Sequence, residues 1–160
     1  MIEYKPEKCE CCGQQKTYLL AIDKGTVAIV KQIARFIGEK GINAVHPRKE
    51  MEGRWLTSNQ VGNLTRARAQ GLIARIKGKP GNYVLTKKGA SFLRGDPIPK
   101  FAILSKVTKH QIGYFEEEKY QVTVHDFNTT AEYWEGVGYD IVDGRVIMAR
   151  PEPRQAALAL

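Results

Sequence analysis

The sequence predicts an α+β fold: a helical domain closed by a basic hairpin, followed by a small antiparallel β-rich region. Three observations carry this. Apolar residues recur at spacings of three and four from Lys24 to Lys40 and again after Leu56, the period of helices buried along one face. Turn formers gather in the run KGKPGN, residues 77–82, between two apolar runs. Beyond Gly95 the period shortens to two: Tyr120, Val122 and Val124 alternate with Gln121, Thr123 and His125, as in a half-buried strand.

Taken in order, residues 1–23 form a segment of their own. They hold Cys9, Cys11 and Cys12, then TYLLAI, Thr17 to Ile22, which reads as a strand. Asp23 is placed to cap a helix over Lys24–Lys40, with Val27, Val30, Ile33, Ala34 and Ile37 as its core stripe and Gly41 as its stop. HPRKEM, His46 to Met51, is long enough for one short helix. A third helix follows over Ser58–Gln70, capped by Thr57 or Ser58 and ended by Gly71 in the left-handed conformation. At about 100° per residue, Asn59, Asn63, Arg66 and Gln70 share one face of it, and Val61, Leu64 and Leu72 share the other. Arg68 falls within the apolar stripe. Either its stem lies over the core with the guanidinium at the edge, or the helix breaks near Thr65.

The segment Arg75–Asn82 cannot continue a helix, because Pro80 lacks a donor and Gly78 and Gly81 favour turns. It reads as a hairpin with a basic tip at Lys77 and Lys79. Tyr83–Leu85 then form a strand, and Thr86 caps a last helix through Phe92 and Leu93. Gly95–Pro99 reads as a linker. The 96–160 region carries strand-like runs at Phe101–Val107 and Ile112–Phe115, a helical turn at Ala131–Glu135, a hairpin signal at Asp143-Gly144 and a frayed tail from Arg150. The domain boundaries are therefore 1–23, 24–95 and 96–160.

The order of helix, basic hairpin, strand and short helix, carried by GLIARIKGKPGNYVLTKKGASFL from Gly71 to Leu93, resembles the winged helix-turn-helix of DNA-binding proteins. The chain is also similar to small uncharacterised phage and prokaryotic proteins in which a cysteine-bearing N-terminus precedes such a domain. The first resemblance implies a recognition helix at about 58–70, a wing at 75–82 and a double-stranded DNA partner, as in a transcription or phage-type regulator.

Charge agrees with that expectation. Residues 24–100 hold 16 Lys+Arg against 4 Asp+Glu, whereas residues 1–23 hold 3 against 4 and residues 101–160 hold 6 against 9. A basic domain between mildly acidic flanks is the footprint of a phosphate-binding module. Asn and Gln amides pair with adenine and Arg with guanine in the major groove, so Ser58, Asn59, Gln60, Asn63, Arg66 and Gln70 are the candidate reading residues. Arg75, Lys77 and Lys79 are the candidate backbone or minor-groove contacts. No acidic residue occurs from Thr57 to Lys88. The competing reading keeps the winged helix as a scaffold and gives the chain a protein partner, through the acidic C-terminal region or the cysteine segment.

Cys9 and Cys12 have the C-x-x-C-G spacing of a zinc knuckle, which makes zinc the one candidate cofactor. A structural site takes four ligands, and no second C-x-x-C exists. Cys11 is a candidate third ligand and His46, His110 or His125 a fourth, or the site is shared between two chains, or the thiols are free. The motifs of nucleotide-binding and hydrolytic enzymes are missing, so no enzymatic activity is expected. Glu116, Glu117 and Glu118 read as a solvated turn. No apolar run approaches the ~20 residues of a membrane span and the N-terminus lacks a signal-peptide core, so a cytoplasmic protein with no membrane partner is expected.

Overall fold

The computed structural model describes residues 8–108 and 111–132, and the backbone of 145–146. Its architecture is mixed α+β with small, mainly antiparallel sheets. The central element is α1, Lys24–Lys40. Asp23 starts it by accepting the Thr26 N–H at 2.7 Å, and Gly41, at φ 65°, ends it. Both ends are dictated locally, by a short acceptor side chain and by a residue with no Cβ to clash in the left-handed region. Val27, Val30, Ile33 and Ile37 bury the expected stripe.

Four shorter helices and a hairpin follow, of which the fourth and fifth helices and the second strand of the hairpin pack against α1. α2 (Pro47–Glu50) begins at His46, whose Nδ1 accepts the Lys49 N–H. α3 (Ser58–Gly62) and α4 (Leu64–Ala69) take the place of the single helix expected over Ser58–Gln70. The break falls at Asn63, φ −102° and ψ 10°. Gly62 and Asn63 are both poor helix formers, and the Asn63 amide turns back to donate to the Asn59 carbonyl at 3.0 Å. Gly71 takes the left-handed conformation, φ 79°, and the chain enters the hairpin of β2 (Ile73–Ile76) and β3 (Lys79–Leu85). Its strands run through most of the segment expected to be turn, leaving only Lys77-Gly78 between them, and Pro80 is accommodated because β3 is an edge strand. α5 (Lys87–Leu93) is capped by Thr86, and Phe92 and Leu93 close the core.

The strand of the 1–23 segment is paired with the C-terminal region. β1 (Thr17–Ala21) lies antiparallel to β5 (Phe101–Ser105), and β5 to β6 (Gln111–Tyr114), in the order β1-β5-β6. One face of this sheet, with Tyr18, Leu20, Ala102, Leu104 and Tyr114, packs on Ala69 at the end of α4. Gly95–Pro99 is more than a linker. Ile98 is buried, and Ile98–Pro99 form β4, paired with Gln121–Val122, β7. The alternating run at Tyr120–His125 is correspondingly shorter than expected, because single 3-10 turns at Glu118–Tyr120 and Val124–Phe127 flank β7. Thr123 and Asp126 cap the second turn reciprocally, and Phe127 meets Phe92 edge to face.

Arg145–Val146, β8, lies parallel to β2. The Asp143-Gly144 hairpin signal and the tail from Arg150 lie outside the described residues, as does all but the first part of the Ala131–Glu135 turn. Ala131 and Glu132 are not helical. Glu132 instead anchors the C-terminal region to α1, pairing with the exposed Arg35 and, at 3.4 Å, with the buried Lys31. Among the described residues no helix is long and apolar enough to cross a membrane.

Candidate nucleic-acid interface

The acid-free segment is folded so that its polar residues divide into three groups. Ser58, Asn59, Asn63, Thr65 and Arg66 on α3 and α4 are exposed, as are Lys77 and Lys79 at the hairpin tip. Gln60 is only half exposed and is committed to the capping box: it accepts the Thr57 N–H at 2.9 Å, while Thr57 accepts the Gln60 N–H at 3.1 Å. Gln70 leaves the face that the helical wheel assigned it altogether. It is 1% exposed and donates to the Leu20 carbonyl of β1 at 2.6 Å. The physical reason is tertiary: the phase is reset at Asn63, between α3 and α4, and β1 lies against the end of α4, where its Leu20 carbonyl takes the Gln70 amide.

Arg66 is held at the start of α1, where its Nη1 lies 3.3 Å from the Asp23 carboxylate. Partial burial pushes the Asp23 carboxyl up, but the Thr26 amide and hydroxyl, then the Arg66 charge, outweigh it and leave the pKa below its ordinary value. Both side chains are about half exposed, 49% and 45%. Such a pair contributes about 0–1 kcal/mol, so the guanidinium is free to exchange Asp23 for another partner at little cost. The hairpin is supported from beneath. A Cβ on Gly81 would strike the His46 imidazole, and Val45 bridges Tyr83 through a pair of backbone hydrogen bonds, 3.0 and 2.8 Å. Arg75 is half-buried, with its Nε 3.4 Å from the Tyr83 hydroxyl. That leaves Lys77 and Lys79 as the projecting cations of the hairpin.

Sequence reasoning missed the polar cluster behind α4. Lys88 Nζ donates to the Gln70 carbonyl at 3.1 Å and lies 3.3 Å over the Tyr114 ring. The Tyr114 hydroxyl also reaches the Gln70 carbonyl, at 3.3 Å, and donates to the Gln111 amide oxygen. Burial pushes the Lys88 ammonium down to about 7 against the opposing Glu116 charge, and pushes the Tyr114 phenol up to about 12. Gln70 Oε1 is buried without a hydrogen-bond partner among the described residues. This cluster joins the β1-β5-β6 sheet to the end of α4, and no local signal marks it, because its members are spread from residue 70 to residue 116.

The cysteines form a turn of their own, far in sequence from the acid-free segment. The Cys9 thiol is held down to about 7, chiefly by the Cys12 amide and then the Cys11 amide, with the Cys12 thiol adding to them. Among the described residues, no three His, Cys, Asp or Glu side chains gather at one point, so neither Cys11 nor a histidine completes a site within the described chain. Glu116, Glu117 and Glu118 are exposed, as a solvated turn requires. No family model, no curated protein and no solved structure matches this chain.

Proposed function

We propose that this chain binds double-stranded DNA, with α3 and α4 facing the major groove and the β2–β3 hairpin, as a wing, lying along the backbone. The observation that carries the reading is the exposed face of the segment from Ser58 to Lys79, which presents Asn59, Asn63, Arg66, Lys77 and Lys79 and contributes no carboxylate of its own, the Asp23 carboxylate beside Arg66 being held in an ion pair. A surface that is only solvated mixes both signs of charge; one that meets phosphate excludes the negative. The order of α1, the Val45–Tyr83 bridge, α2, α3–α4 and the hairpin also agrees with a winged helix-turn-helix. The reading set is narrower than the helical wheel suggests. Ser58, Asn59, Asn63 and Arg66 remain, whereas Gln60 caps α3 and Gln70 fastens β1.

Arg66 is the residue best suited to a base edge, since a guanidinium pairs in bidentate fashion with guanine. Asp23 holds it extended until DNA replaces that partner. The test is a salt titration of the full chain on a random-sequence duplex. Each phosphate neutralised contributes about 0.9 to the slope of log affinity against log salt, so a slope of several units is expected. A chain that shows no salt-dependent binding to duplex DNA is not a DNA-binding protein of this kind, and the scaffold reading with a protein partner then takes precedence.

A further inference from the structure

At the C-terminal end of α1 a cleft of about 340 Å³ opens between the last turn of that helix and the segment that joins α2 to α3. Phe36, Lys40, Ile42, Glu50, Arg54 and Trp55 line it. Its aromatic wall is fixed before any ligand arrives. Phe36 is buried on α1, and Trp55 stands edge to face with it, the ring centroids 5.3 Å apart and the planes at 87°. The Trp55 backbone is tied on both sides: its N–H donates to the Met51 carbonyl at 2.9 Å, and its carbonyl accepts the Gln32 amide at 3.1 Å. Gly53, at φ 88°, permits the tight turn that returns Arg54 and Trp55 to α1. Ile42 is placed by the left-handed Gly41 before it, and its N–H donates to the Ile37 carbonyl at 3.2 Å. Ile42 and Trp55 are only partly buried, so apolar surface faces the cleft.

The rim of the cleft is cationic. Lys40 and Arg54 are exposed, and among the described residues neither has a carboxylate partner. Lys40 Nζ lies 5.8 Å from the Phe36 ring centroid. The nearby carboxylates are already engaged: Glu50 accepts the His46 N–H at 2.7 Å at the start of α2, and Glu52 pairs with Arg48 at 3.0 Å. An aromatic wall below two uncommitted cations complements a ligand that is flat and apolar at one end and negatively charged at the other. The volume is at the lower end of the range for small-molecule sites, about 300–1,000 Å³, and matches one or two fused rings. A bare phosphate would engage the cations and leave the aromatic wall unused.

We propose that this cleft binds a small aromatic carboxylate, with its rings against Trp55 and Ile42 and its carboxylate between Lys40 and Arg54. Binding is reversible, and no covalent bond is made or broken. The site goes beyond the DNA reading and uses none of the residues of α3, α4 or the β2–β3 hairpin, so either proposal can fail without the other.

The test uses the full chain and 2-naphthoate, followed by nitrogen-15 NMR. The signal read is the Trp55 indole N–H, which of the chain's two tryptophan indoles is the one that persists in Trp134→Phe. A saturable shift with a Kd of about 1 mM or tighter is expected for a ligand of this size. 2-Naphthalenemethanol keeps the rings without the charge, and cyclohexanecarboxylate keeps the charge without an aromatic face. Each should bind at least about fivefold more weakly than 2-naphthoate. Lys40→Gln with Arg54→Gln should weaken 2-naphthoate by about five- to thirtyfold and leave the affinity for the alcohol unchanged, a split that a merely structural effect would not produce. Absence of a saturable shift up to about 10 mM, equal affinity for the acid and the alcohol, or undiminished affinity in the double variant would each overturn the proposal. A shift produced by an acidic, tyrosine-containing peptide but not by 2-naphthoate would also overturn it, in favour of a protein partner. Because the three small ligands are compared on the unsubstituted chain, the result does not depend on whether the variant folds.

Discussion

Replacing Lys77 and Lys79 together by Ala removes the two cations that project from the tip of the β2–β3 hairpin. Both are exposed, and among the described residues neither has a carboxylate partner, so their charges are available to phosphate. Neutralising two phosphates contributes about 1.8 to the salt slope, so the double variant should lower that slope by about one to two units. Over a fourfold rise in salt, that difference amounts to about a tenfold smaller loss of affinity in the variant than in the parent. The measurement is fluorescence anisotropy of a labelled duplex at several salt concentrations, repeated with an unrelated sequence. Loss should be the same on both duplexes, because phosphate carries no sequence information. Stability should move by less than about 0.5 kcal/mol, since the side chains are exposed and unpacked. An unchanged slope in the double variant would remove the hairpin from the proposed interface. Preserved slope together with a lowered melting temperature would mean that the hairpin is structural only.

Arg66→Ala should act differently, weakening a preferred site by about 1–3 kcal/mol more than random duplex; equal losses on both would reassign Arg66 to phosphate or to its Asp23 pairing alone. Gly71→Ala should destabilise the fold by at least about 1–2 kcal/mol, from the left-handed backbone and from the Cβ meeting the Tyr114 hydroxyl. Gly62→Ala, with open space around the added carbon, should be neutral or stabilise by up to about 1 kcal/mol; thermal melts that rank the two the other way would refute the placement of Tyr114. Lys88 gives a prediction in pH. Its folded pKa, about 7, lies below its ordinary 10.5, so between those values the unfolded chain holds a proton that the folded chain has released. Stability should therefore rise with pH across that window, by up to about 1.4 kcal/mol per pH unit. The Gln70 carbonyl and the Tyr114 ring favour the charged form and reduce the slope. Lys88→Met should flatten the rise between pH 7.5 and 9.5 relative to the parent, a comparison in which the Cys9 contribution cancels; denaturant melts with equal slopes would show that Lys88 stays charged. Above pH 10 the raised Tyr114 pKa has the opposite sign, and stability should fall as the unfolded phenol ionises first.

The sequence by itself determined the elements whose causes lie within a turn of chain. The Asp23 cap, the stripe from Val27 to Ile37, the left-handed Gly41 and Gly71 and the Thr57 and Thr86 caps all depend on contacts three or four residues long, and each stands where those local rules put it. The cation excess of residues 24–100 and the bare C-x-x-C-G spacing were equally legible, because charge and spacing are properties of the string.

Tertiary structure decided what depends on distant partners. The helical wheel grouped Gln70 with Arg66, but Gln70 is drawn inward by a carbonyl at Leu20, 50 residues away. Pairing of β1 with β5 and of β4 with β7, and the burial of Lys88 under Tyr114, join parts of the chain that no window of sequence contains together. The break at Asn63 lies between the two cases. Gly62 and Asn63 weaken the helix locally, and the need of Val61, Leu64 and Ala67 to reach one core settles how the two pieces lie. Periodicity reports which residues are apolar at a given phase; where the phase is reset, only packing determines which polar side chains remain outside to meet a ligand.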